Sequence, residues 1–113
     1  MASGYWIEID YKKFRKIMEE RIKNEKRLYE YYLKRSRQTE SETVRKMYEE
    51  KAGEHYVIYM QDLMLLEMAS GLKDECLFFY DLANCSPVLI RVGKTVKKER
   101  ERLLKENFQM MYR

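Results

Sequence analysis

The sequence predicts an all-α fold, a compact bundle of three to four helices with a short N-terminal arm, organised as a single domain over 1–113. Three observations lead there. Turn formers are scarce, with 4 Gly and 1 Pro in 113 residues, and the helix-favouring residues Glu, Lys, Arg, Leu and Met abound. Apolar residues also return at spacings of three and four over two long stretches. A chain of this length is the size of one domain around one core.

The first element is the exception. Tyr5 to Ile9 reads Tyr-Trp-Ile-Glu-Ile, aromatic and β-branched, and suits a brief strand or an extended arm that tucks Trp6 against the bundle. Asp10 then stands as an N-cap. From Tyr11 to about Arg37, Phe14, Ile17, Met18, Ile22, Leu28, Tyr29 and Tyr32 form the stripe of one amphipathic helix, roughly 40 Å long at 1.5 Å per residue. Ser36 to Ser41 breaks the pattern, and Thr39 with Glu42 fits a capping box, in competition with Ser41 as the cap.

A second helix is expected from there to about Ser70, stopped by Gly71. Its first half is one-sided, with Val44, Met47, Tyr48 and Ala52. Its second half, from Val57 to Met68, is apolar around nearly its whole circumference, which predicts a central helix packed on several sides, with an oligomer interface as the alternative. Lys73 to Ala83, with Leu77, Phe78, Phe79 and Leu82, is expected to be a short third helix. Ser86-Pro87 reads as a helix restart. Val88 to Val92 opens a helix or forms a strand beside Tyr5 to Ile9, a minor two-stranded ribbon over 5–9 and 88–92; helix is preferred. Gly93 joins this segment to a final helix from about Lys94 to Met111.

Charge is distributed in blocks. Residues 1–38 hold 11 basic and 6 acidic side chains, residues 39–85 hold 4 and 10, and residues 86–113 hold 8 and 3. Net charges of +5, −6 and +5 underlie the modest total of +4, a pattern suited to docking on charged partners. Met1 to Gly4 has no signal-like character, so the cytoplasm is the expected location. The longest apolar stretch, Tyr56 to Met68, is interrupted by Gln61, Asp62 and Glu67 and is shorter than the roughly 20 residues that span a bilayer. Cys76 and Cys85 read as two small buried hydrophobes rather than a disulfide or a metal site.

Reactive motifs fail inspection. A ferritin-like di-iron site needs Glu-x-x-His, but Ala52 stands three residues before His55 and Glu54 directly before it. Gly93-Lys94-Thr95 ends like a phosphate loop, yet Val88 occupies the place of the upstream glycine. No cofactor or metal is expected. Arg21 and Glu25 on the first helix, and Lys51, His55 and Asp62 on the second, interrupt apolar stripes, and such charges must be paired where those stripes meet. An enzyme built on this set would use His55 as general base, oriented by Asp62 or Glu25, with Arg21 stabilising an anion. Structural ion pairing is the favoured reading.

Binding signals are stronger. If the chain is helical from Val88, then Arg91, Lys94, Lys98, Arg102 and Lys105 form one cationic stripe suited to phosphates or an acidic protein. Ten tyrosines and interleaved arginines suggest contact surfaces, with Tyr31 and Arg35 as the exposed candidates on the first helix. Eight methionines add adaptable surface. The expected function is therefore a small non-enzymatic intracellular adaptor, inhibitor or regulator that docks on a protein or protein–nucleic acid complex. Direct nucleic-acid binding through the C-terminal stripe is the alternative, an enzyme using His55 a weaker one, and self-association through the second helix remains open.

Overall fold

Sheet, not helix, follows the second long helix, and the all-α expectation is corrected accordingly. The computed structural model describes residues 5–111; Met1 to Gly4, where the absence of a leader was read, lie outside them. In chain order the elements are strand β1 (Trp6–Ile9), helix α1 (Tyr11–Gln38), helix α2 (Glu42–Gly71), a 3-10 turn (Lys73–Glu75), strands β2 (Cys76–Asp81) and β3 (Ser86–Arg91), and helix α3 (Lys94–Met111). They fall into two compact units, 1–14 with 68–113 and 15–67.

In the first unit the strands lie in the order β1-β2-β3, antiparallel throughout. Trp6 stands opposite Asp81 and Ile9 opposite Phe78; across the other edge Cys76 faces Arg91 and Asp81 faces Ser86. The segment expected as a third helix is thus the central strand. Its apolar run is equally compatible with either state, and pairing on both edges decides it. Segments 5–9 and 88–92 do carry strands, as the ribbon alternative held, each paired to β2. Pro87, expected to start a helix, sits near the start of edge strand β3, where its missing N–H is tolerated.

Alternation along β2 sends Cys76 and Phe78 into the core with Ile9 and Phe14. Phe78 meets Phe14 at 4.8 Å and Tyr11 at 5.5 Å between ring centroids, while Trp6, on the opposite sheet face, lies 5.7 Å from Phe79. The α1 entry that positions Phe14 is capped as expected, with Lys13 N–H donating to Asp10 Oδ1 at 2.8 Å. Past β3, Val92 and Gly93 N–H groups both donate to the Glu75 carbonyl. Gly93 turns the chain into α3 at φ 91°, a left-handed conformation that glycine adopts freely.

Cys76 is buried, and burial raises its thiol pKa, but Cys85 is exposed in the β2–β3 turn, contrary to the expectation of two buried cysteines. The length of β2 also separates them too far for a disulfide, by roughly 15 Å against the ~6 Å that bond requires.

In the second unit α1 and α2 run as an antiparallel hairpin. Of the competing caps, Ser41 closes α2: its Oγ accepts from Val44 N–H at 3.3 Å. Met18 and Ala52 are the fully covered apolar residues of this unit among those described, joined by Ser36 and Asp62. The central-helix expectation for 57–68 is corrected, because Val57, Met60 and Met64 are 54%, 39% and 64% exposed.

The β2–β3 turn yields a pH prediction. Asp81 accepts from Asn84 Nδ2 at 2.7 Å and from the Ala83 and Asn84 N–H groups at 3.0 and 3.2 Å. These bonds, led by the Asn84 side chain, hold its pKa below the ordinary carboxylate value. The resulting stability is present above the unfolded-state pKa and disappears as pH falls through the lower folded one. Asp81→Asn should therefore lower the melting temperature at neutral pH, with a gap to wild type that narrows as pH drops below about 4.

Candidate functional site

The seam of the α1–α2 hairpin carries charges where an ordinary helix pair places Leu. Arg21 Nε lies 3.3 Å from Asp62 Oδ2, and the Asp62 side chain is 9% exposed against 36% for Arg21. One turn along, His55 Nδ1 sits 2.5 Å from Glu25 Oε2, with both side chains about one-fifth exposed. The four residues singled out in the sequence thus meet as two separate pairs. Lys51, grouped with them, instead lies on the outside and reaches Glu54 at 3.8 Å.

Aromatic rings extend this seam toward the turn. The His55 ring stacks on Tyr32 at 5.5 Å and 7°, and Tyr32 stacks on Tyr48 at 6.2 Å and 29°. Arg35 places its guanidinium 5.6 Å from the Tyr48 centroid and donates to the Tyr48 hydroxyl at 3.4 Å. Tyr31 is exposed and meets the edge of Tyr32 at 5.2 Å. Tyr31 and Arg35 therefore belong to one cluster, anchored by Tyr32 and Tyr48 behind them.

Beside the stack is a groove of about 300 Å³, walled by Tyr32, Val44, Met47 and Tyr48, with Glu50, Lys51 and Glu54 at its rim. That volume is at the small end for pockets that accept a ligand or a bulky side chain. Farther along α2 come Val57, Met60 and Met64. The sequence signalled the apolar circumference of α2, but not which side of it stays open.

The C-terminal cations are placed differently from expectation. Arg91 is on β3, so the five residues do not share one helix face; it binds Glu75 at 3.0 Å. On α3, Arg102 is held by Glu99 and Glu106, which raise its pKa further, Glu99 most. Lys94, Lys98 and Lys105 are exposed and form no ion pair among the described residues. In the same unit Arg100 binds Glu8 across a cavity of about 310 Å³ that Tyr11, Phe78 and Leu104 help to line.

No family model, curated protein or solved structure matches this chain. Among the described residues no group of three or more His, Cys, Asp or Glu is placed to hold a metal ion, and no helix is long and apolar enough to cross a membrane. The hairpin carries paired charges inside its seam and open apolar surface outside it.

Removing one member of a buried pair leaves the other desolvated and alone, at a cost of roughly 3–5 kcal/mol for full burial. Arg21→Ala strands the Asp62 carboxylate, but water reaches this seam, so we expect a loss of about 2 kcal/mol in denaturant unfolding. Arg21→Ala together with Asp62→Leu should recover most of it. An Arg21→Ala variant as stable as wild type would refute the pairing as a source of stability.

Proposed function

We propose that this protein is a small non-enzymatic binding protein, an adaptor, inhibitor or regulator that docks on a protein partner through the outer flank of α2. The observation that carries this reading is the open apolar face of Val57, Met60 and Met64, each 39% exposed or more. Contiguous exposed apolar surface of this kind marks interaction sites, and methionine makes such surface adaptable to its partner. The tyrosine cluster adds the residue type that supplies interface hot spots. The His55 ring is stacked on Tyr32 and its Nδ1 is engaged by Glu25, an arrangement that fixes helix positions and that would equally orient a general base.

Purification from the native host with nuclease treatment tests this. A protein partner should survive nuclease and be lost from Met60→Glu/Met64→Glu, whose exposed substitutions leave the circular dichroism spectrum unchanged. Retention of the same partners by that variant would sink the reading.

Nucleic-acid binding through α3 remains the second reading, supported by the exposed Lys94, Lys98 and Lys105. Each phosphate contact adds about 0.9 to the slope of log affinity against log salt. Were this the function, reversing all three lysines to glutamate would flatten that slope by roughly three units. Under the protein-docking reading, wild type shows no salt-dependent nucleic-acid binding at all.

A further inference from the structure

Two features of the hairpin lie on one strip. Met47, Glu50, Glu54, Val57, Gln61 and Met64 recur at three and four residues along α2 and so share a face. Met47 and the two glutamates belong to the tyrosine-walled groove; Val57 and Met64 belong to the open apolar face. The strip is straight and roughly 25 Å long at 1.5 Å per residue.

Its charge is predominantly acidic. No Lys or Arg occurs in α2 after Lys51. Asp62 is turned inward to Arg21, so along the strip the outward charges are Glu50 and Glu54, with Lys51 beside them at the groove, and Glu67 beyond its end, all exposed. Lys51 offsets Glu54 only weakly, because both side chains are about 60% exposed and water screens the pair.

We propose that this strip receives a cationic amphipathic helix of a protein partner. A bulky apolar side chain of that helix enters the groove between Tyr32, Tyr48 and Met47. Lysine or arginine one turn on faces Glu50 and Glu54, and a following apolar turn covers Val57, Met60 and Met64. A helix fits because its anchors at i, i+3, i+4 and i+7 repeat at the spacing of the strip. Two carboxylates against one screened lysine leave an acidic excess at the groove, which selects for positive charge and against an anionic partner, because like charges brought together at an interface cost affinity. The same sign disfavours a second copy of α2 and an anionic bilayer.

This inference rests on the docking reading above and is tested separately from it. The full chain is titrated calorimetrically with two synthetic peptides of equal length, one patterned with Leu and Lys, the other with Leu and Glu. We expect the Lys peptide to bind at least tenfold more tightly than the Glu peptide, Glu50→Lys/Glu54→Lys to invert that order, and Met60→Glu/Met64→Glu to weaken binding at least tenfold. Glu50→Gln/Glu54→Gln, exposed changes that leave the seam alone, should reduce the preference without touching the fold. Equal binding of both peptides, binding of neither, or adsorption of the protein to phosphatidylserine vesicles overturns the proposal. So does a dimer in sedimentation that Met64→Glu dissociates. If neither peptide binds while the native partner is still lost from Met60→Glu/Met64→Glu, the cationic helix is wrong and the docking reading stands. If that partner is retained, the docking reading itself fails.

Discussion

A pair of helices has one seam, and a helix that is apolar around its circumference cannot bury its far side in it. The properties of the second unit follow from this constraint. α1 takes the side of α2 that carries Val44, Tyr48, His55 and Asp62, while Val57, Met60 and Met64 point elsewhere and stay open. Full burial of such a side chain is worth about 1.5–3 kcal/mol, so half-exposure of three of them leaves roughly 3 kcal/mol of transfer free energy unrealised. Domains of this size are stable by only about 5–15 kcal/mol. An open face of that value is a strong driving force for association, and a partner that covers it also stabilises the hairpin by mass action.

Inside the seam the balance is different. Arg21–Asp62 and His55–Glu25 occupy positions where well-packed apolar residues would be as stabilising or more so. Their physical contribution is discrimination. A slip of one turn between α1 and α2 would set Arg21 against apolar side chains and leave Asp62 buried without a cation, so both pairs form in one register only. That register also places Tyr32 between His55 and Tyr48, which builds the wall of the groove. Polar pairs in the seam thus determine the shape of the surface outside it.

Much of this was legible in the sequence, and the part that was not has a physical reason. α1, α2 and α3 announce themselves through 3.6-residue periodicity over long stretches and through local caps at Asp10 and Ser41, information that lies within a few residues. β2 does not. Leu77, Phe78, Phe79 and Tyr80 suit a helix or a strand, and what decides is pairing with β1, some seventy residues earlier, and with β3. The central-helix expectation fails on its own ground, because Val57, Met60 and Met64 are exposed. The seam residues were identifiable because charge in an apolar stripe must find a partner. Which partner depends on helix register, which spacing along one chain does not encode.

The block pattern of charge also becomes intelligible once its members are placed. In the acidic middle segment, Asp62 is consumed by Arg21, Glu75 by Arg91, and Asp81 by the donors of its own turn. These carboxylates hold structure and contribute little to the surface field. Glu49, Glu50 and Glu67 on α2 pair with no cation among the described residues, and Glu54 has a screened one. The acidic excess is therefore concentrated by folding onto the helix whose apolar side is open, while most cations of α1 and α3 remain on their own helices. Apolar area supplies affinity without direction, whereas charge of one sign beside it repels most wrong partners before contact. On the docking proposed above, a surface that combines the two would be selective at little cost in stability, because exposed carboxylates are well hydrated in the free protein.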